Sequence, residues 1–441
     1  MSAVFVSQLV DGARVRRDVR IGVDASGRVS DLAENTSARP GDLALGTAMR
    51  GAGDAHSHAF HRGLRGRTHA NGGDFWSWRE RMYELAARLD PDSYRTLARG
   101  VFAELLAAGY TAVGEFHYAH HRADGAPFAD PNAVGLALAD AAEEVGIRLT
   151  LLDTCYLTSA PRTPLTPAQR AFDDGSVDAW FERWSALRPH GSTLVTIGAA
   201  AHSVRAVPPE GIARMVELLP TGTPLHAHLS EQPHENAQSL AAYGRTPTGV
   251  LADAGALRDG ERLSVVHATH LTDDDTALLG AARVTAVFCP TTEADLGDGL
   301  GPARELADAG ARLAIGSDQN AVVDPFEETR TLETGQRMRR LQRGCFTPAE
   351  LDDIRSAHGY AALGLAPPLT LGGPADLVEV DTASARTLGA DPLQLALAAS
   401  AADVTRVVVG GRVAVEHGRL ADGRAVASVL REGLAAVGVT P

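Results

Sequence analysis

The 441-residue chain contains no lysine, so all 41 of its Lys+Arg cations are arginine. This excludes Schiff-base lysine chemistry, a P-loop lysine and a carboxylated lysine bridging two metals. Cysteine is scarce too. Cys155, Cys289 and Cys345 are scattered and match no zinc or redox spacing. A disulfide framework is not expected, which points to a reducing cytoplasm. Positive charge is in deficit: the formal net charge is −14. That leaves no basic face for nucleic acid or a membrane surface, and an anionic substrate has to be gripped by local arginines. Long apolar runs are missing as well. The N-terminus, MSAVFVSQLVDGARV, has no basic region followed by an apolar stretch, so neither a signal peptide nor a membrane span is expected.

What is present is an ordinary globular composition, 44% hydrophobic and 22% charged. Short apolar runs begin at Met49, Thr111, Arg148, Thr193, Thr223, Arg262, Arg283 and Arg312. They are rich in Val, Ile, Leu, Thr and Ala, as parallel strands buried on both faces require. Amphipathic stretches separate most of them, including Tyr94 to Ala108, Asn132 to Val145 and Gly211 to Leu219. Strand and helix alternating eight times predict an α/β fold, a (β/α)8 TIM barrel. The chain ends differ. Alternating runs from Val15 to Val23, Asp376 to Val380 and Val407 to Val413 predict small antiparallel sheets. The expected division is a barrel over 49–365 and a small flanking β-sandwich built from 1–48 plus 366–441.

In such a barrel the reacting groups sit at the C-terminal ends of strands. Histidines and acids gather there: His56 and His58 on the first run, His228 with Glu231 on the fifth, His267 on the sixth and Asp318 on the eighth. His56 and His58 are two apart on a strand, so they leave the same face. With His228 and Asp318 they make a ligand set for one divalent metal ion. Three neutral nitrogens and a carboxylate suit Zn2+, with iron or manganese also compatible. A metal there would activate water, Glu231 could carry its proton to a leaving nitrogen, His267 could polarise the attacked group, and Asp318 could act as both ligand and base.

In that order, these residues resemble the metal-site pattern of the amidohydrolase superfamily, in its one-metal deaminase branch. Closer still, the chain resembles the N-formimidoyl-L-glutamate deiminases. The strings that carry this are HSHAFHR from His56, FWSWRERMY from Phe75, EFHYAHH from Glu115, AHSVRAV from Ala201, HAHLSEQ from His226, VHATHL from Val266 and GSDQN from Gly316. The resemblance implies metal ligation by His56, His58, His228 and Asp318, and acid–base and polarising roles for Glu231 and His267. It also implies that Arg79, Tyr118, His202 and Arg205 hold a small dicarboxylate, with arginine forks matched to carboxylates. His61 stands where the family pattern has glutamine. A histidine both donates and accepts only as the neutral tautomer, so this substrate contact changes character. The implied reaction is hydrolysis of the formimidoyl group to N-formyl-L-glutamate and ammonia, in the histidine-degradation pathway. A homodimer is compatible with the family, and the glycines and aromatics between Asn71 and Met82 would permit a lid.

Two rival readings stand beside this one. A deaminase of a purine, pyrimidine or triazine ring would keep the metal site and need no paired arginines. A non-catalytic barrel used for binding or assembly would be expected to have lost its ligands.

Overall fold

Eight parallel strands close around one axis in a computed structural model that describes residues 2–68 and 75–440. In chain order the strands are β1 (Ser2–Val10), β2 (Val15–Val23), β3 (Val29–Ala33), β4 (Leu43–Arg50), β5 (Ala52–Ser57), β6 (Tyr110–His117), β7 (Arg148–Cys155) and β8 (Val195–Ser203). They continue as β9 (Leu225–Leu229), β10 (Leu263–His267), β11 (Thr285–Phe288), β12 (Arg312–Ile315), β13 (Leu377–Val380), β14 (Val404–Val409), β15 (Arg412–Glu416) and β16 (Arg419–Leu420). Strands β5 to β12 pair in sequence order, and a bridge between Ser57 and Asp318 joins the last to the first. Every residue of β5, β6, β7 and β9 is buried, as expected of strands covered on both faces.

The apolar run expected from Met49 is divided. Met49 and Arg50 finish β4 of the flanking sheet, and the barrel begins at Ala52. The flanking unit is hydrogen-bonded as one mixed sheet in the order β16-β15-β14-β13-β4-β1-β2-β3, with strands from both chain ends. Only β1 and β4 pair in parallel there.

The helix Pro91–Ala108 shows how local sequence sets an element. Asp90 accepts from the Ser93 N–H at 2.8 Å and Ser93 returns a bond to the Asp90 N–H, so a capping box starts the helix three residues before the amphipathic run begins. Proline occupies its first turn, where no N–H is needed. The C-terminal helix Val426–Ala436 lies against it. A Cβ on Gly100 would stand 2.8 Å from Leu430 Cα, so only glycine allows that approach.

The lower end of the barrel is closed by the helix Ala357–Ala362, whose carbonyl end receives His226 Nε2 at 2.8 Å on Ala362 O. Asp376, fully buried, joins this floor to the flanking sheet. It accepts from Arg148 Nε at 2.6 Å, from the Tyr360 hydroxyl at 2.7 Å and from the Gly410 N–H at 2.7 Å. No helix among the described residues is long and apolar enough to cross a membrane. Residues 71–74 of the stretch read as a lid lie outside the described residues.

Removing Asp376 strands the buried Arg148 guanidinium. Asp376→Ala is expected to lower unfolding stability by about 3–5 kcal/mol, the usual cost of orphaning one member of a buried pair. A urea midpoint unchanged from wild type would show that this junction contributes nothing.

Candidate active site

His56, near the end of β5, and His58, just beyond it, face the upper mouth of the barrel, and His228 reaches the same point from β9. Their imidazoles converge: His228 Nε2 lies 3.2 Å from His56 Nε2. Asp318 Oδ1 lies 3.4 Å from both His56 Nε2 and His58 Nε2. Two of the rings are held from behind. Nδ1 of His58 is 2.9 Å from Phe116 O, and Nδ1 of His228 is 2.9 Å from His202 O. A carbonyl can only accept, so each Nδ1 carries the proton and each Nε2 presents its lone pair to the centre. Burial keeps these rings neutral. It holds His56 and His228 well below the ordinary imidazole pKa, and takes His58 down to about 3 with the further help of His56.

Clustered Nε2 lone pairs facing a carboxylate repel one another unless a cation lies between them. The donor set therefore fits a divalent ion, and outward Nδ1–H bonds of this kind are what orient metal-binding histidines. His267, at the end of β10, meets the cluster from another side. Its Nε2 is 3.9 Å from both Asp318 Oδ2 and Glu231 Oε1, and its Nδ1 is 3.4 Å from Glu293 Oε1. Burial opposes a charge on His267, but the carboxylates of Glu231, Glu293 and Asp318 outweigh it and draw the ring up to about 10.

The backbone is bent to serve this arrangement. His267, Ser230 and Asp318 all have left-handed conformations, with φ of 72°, 51° and 43°. Such positions cost about 1–3 kcal/mol each in non-glycine residues and persist where the surroundings over-determine them.

A narrow cleft opens above the cluster. His61, Arg79, Tyr118, His202, Arg205 and Glu231 all line it. His61 Nε2 is 3.0 Å from the Tyr118 hydroxyl, and His202 Nδ1 is 3.2 Å from the Ser203 hydroxyl. Arg205 approaches Glu231 Oε2 at 3.7 Å, and its buried Nε, 4.0 Å from Glu235 Oε2, has no hydrogen-bond partner among the described residues. Every site residue expected from the sequence thus lies at one place.

The sequence assigns no role to other residues of the site, although Asn320 ends the GSDQN string. Glu293 braces His267 and also accepts from the Cys289 N–H at 2.9 Å. Glu235, fully buried, accepts from the Glu231 N–H at 3.1 Å. Asn320 Nδ2 lies 3.1 Å from the carbonyls of His58 and Asp318. Glu293 follows β11, so the strand-end test applied to the other runs would have found it. A second buried cluster of His117, His120 and Asp153 does not line the cleft. Both Asp153 oxygens are taken by Arg183, at 2.6 and 2.9 Å, so the cation there is a guanidinium.

The chain has relatives among known proteins. The model of the amidohydrolase family matches residues 48–414. A formimidoylglutamate deiminase of Pseudomonas aeruginosa is 35% identical, over 98% of this chain and 99% of its own. A 5-methylthioadenosine/S-adenosylhomocysteine deaminase of Pelotomaculum thermopropionicum is 27% identical over 86% of this chain and 83% of its own. The crystal structure of an amidohydrolase from Brucella melitensis superposes with a TM-score of 0.90 at 31% identity, covering 99% of this chain and 100% of that one.

Adding Zn2+ to chelator-treated protein is expected to raise its melting temperature. At a thousand-fold excess over Kd the gain is about 4 kcal/mol. The double variant His228→Ala/Asp318→Ala should lose that gain, and an undiminished shift would put the metal elsewhere.

Proposed function

The chain belongs to the amidohydrolase family, and on that footing we propose that it hydrolyses N-formimidoyl-L-glutamate to N-formyl-L-glutamate and ammonia. The observation that carries this reading is that a cation-binding His/Asp cluster and two guanidiniums, Arg79 and Arg205, share one cleft. A dicarboxylate bearing an electrophilic carbon needs both. A ring substrate would need the cluster alone. The full-length likeness to a formimidoylglutamate deiminase supports the same choice.

His56, His58, His228 and Asp318 would hold one divalent ion, and their three neutral nitrogens and one carboxylate favour zinc. When bound, such an ion supplies Lewis-acid activation of water and of the bond under attack. The remaining work falls to side chains. Arg79 and Arg205 grip the carboxylates, with Tyr118, His202 and His61 along the walls, and set the formimidoyl carbon over the cluster. The oxygen of water bonds to that carbon. Glu231 and Asp318 take up the two protons of that water, and both protons pass to the imino nitrogen, the last of them from Glu231, as its bond to carbon breaks. That nitrogen leaves as ammonia, and the other stays on the glutamate as a formamide. His267, fixed by Glu293, offers its Nε2–H to the charge that develops.

The same reading makes residues 49–365 the catalytic barrel, with 1–48 and 366–441 beside it. It also puts the enzyme in the cytoplasm, where its three free cysteines remain reduced.

Mixing purified enzyme with N-formimidoyl-L-glutamate should release ammonia, whereas purines, pyrimidines and triazines should not. Ammonia from a ring substrate alone would replace this reading with the ring-deaminase one. Arg205→Met is expected to lower kcat/KM roughly 10–150-fold, the worth of a lost charge-assisted hydrogen bond. Turnover that survives the substitution would mean that no carboxylate sits there.

A further inference from the structure

Arg79 shares its wall of the cleft with Tyr83 and Tyr156. Behind them lies Gln169, only 1% exposed. The orientation of its amide is dictated by its neighbours. Gln169 Oε1 accepts from the Thr166 backbone N–H at 3.0 Å and from the Thr166 hydroxyl at 2.8 Å. A backbone N–H can only donate, so the amide oxygen belongs on that side and the NH2 group faces the other way. There Gln169 Nε2 donates to the Tyr156 hydroxyl at 2.8 Å and to the Tyr83 hydroxyl at 3.1 Å. Arg79 Nε, also purely a donor, gives a second bond to the Tyr83 hydroxyl at 2.6 Å.

These bonds fix the polarity of the wall. A phenolic oxygen accepts about two hydrogen bonds and donates one. Both acceptor positions of Tyr83 are taken by Gln169 and Arg79, and Tyr156 has given one to Gln169. Each phenol keeps a proton to donate, and at most one of these protons can be used between the two rings. At least one O–H is left for a group beyond the array. The wall therefore offers protons to a ligand, next to a guanidinium, and has little capacity to accept one.

We propose that Gln169 is a positioning residue for carboxylate recognition: by pinning the acceptor sides of Tyr83 and Tyr156, it aims a phenolic O–H, beside Arg79, at a carboxylate oxygen of the substrate. This rests on the dicarboxylate reading of the cleft. It implies a preference for an acid over an amide that arginine alone does not give. An amide in place of that carboxylate would turn an N–H toward a wall of donors, and an acid would not.

The test is Gln169→Glu, with the double variant Tyr83→Phe/Tyr156→Phe beside it. Glutamate keeps the length of the side chain and still accepts from Thr166, but its second oxygen accepts where the amide donated. Both phenols then turn their protons inward, away from the cleft. KM for N-formimidoyl-L-glutamate should rise about ten-fold or more in each variant, with kcat within roughly three-fold of wild type. The Kd for glutarate, a dicarboxylate with no reacting carbon, should weaken by a similar factor. A merely structural role would lower kcat or the melting temperature and leave glutarate binding alone, and that result overturns the proposal. So does a Gln169→Glu protein whose KM and glutarate Kd stay within roughly two-fold of wild type. If wild type binds glutarate, loses that binding in Gln169→Glu, and yet releases no ammonia, then the reaction assigned above fails and the carboxylate wall stands.

Discussion

The seam between the last and first barrel strands is the contact on which the site depends. β12 ends at Ile315, and the chain then crosses to β5 through paired backbone bonds: Asp318 N–H to His56 O at 2.9 Å, and His58 N–H to Asp318 O at 2.9 Å. The bonds that close the cylinder thus involve three of the four proposed ligands. Gly316 makes the crossing feasible, since a Cβ there would lie 2.7 Å from His56 O and 3.0 Å from Cys289 Sγ. Ser317 is fastened below by Asp54, through its N–H at 2.9 Å and its hydroxyl at 2.6 Å. The backbone bonds that close the barrel thus also set a carboxylate from beyond the last strand against histidines of the first.

Around this seam the electrostatics run against the chain as a whole. A protein of net charge −14 has placed Glu231, Glu235, Glu293 and Asp318 together in a buried mouth. Burial lifts Glu235 above its ordinary carboxyl range, against the pull of Arg205. Asp298, close by, is pushed up to about 8 by burial and by Glu231. Such a concentration of acid is costly without cations to answer it. Arg205 and His267 answer part of it, and a divalent ion would answer the rest. The acids that make the site hospitable to a metal also make it hostile to a dicarboxylate, and Arg79 and Arg205 on the lining of the cleft oppose that effect.

How much of this could be read from the residues alone depends on what each residue does. Those whose side chains point into the mouth announced themselves, because strand ends are where a barrel collects its reacting groups and because His56 and His58 share a face. Spacing by itself would have misled. The HAH of β9 has the same two-residue spacing as the HSH of β5, yet His226 points to the floor and bonds Ala362 O while His228 reaches the centre. The difference is depth. His226 is the second residue of β9, whereas His56 and His58 straddle the end of β5. The bracing role of Asp54 and Asn320 stayed hidden because they bond to backbone or to other side chains, and no residue type marks that task; Glu293 lay within reach of the strand-end test. The split of the Met49 run was hidden for a similar reason: Gly51 alone separates β4 from β5, and the partners they pair with mark where one sheet ends and the other begins.

The two kinds of work at the mouth come from different layers of the fold. His56, His58, His228 and His267 sit on or at the ends of barrel strands, where neighbours on both sides fix the backbone. The gripping groups come from the connections between strands: Arg79 and Tyr83 from the helix Phe75–Ala86, Tyr118 after β6, Tyr156 and Gln169 after β7, Arg205 after β8. Changing a connecting segment alters the wall without disturbing the seam. A family built this way can keep one hydrolytic centre and exchange its substrates, and relatives of this chain that carry the names of nucleoside and of formimidoyl deiminases match it along most of its length. In this chain the proposed choice of substrate therefore rests less on the histidines than on the direction of a few hydrogen bonds above them, where Thr166 turns Gln169, Gln169 turns two phenols, and the wall is left with more protons to give than places to accept them.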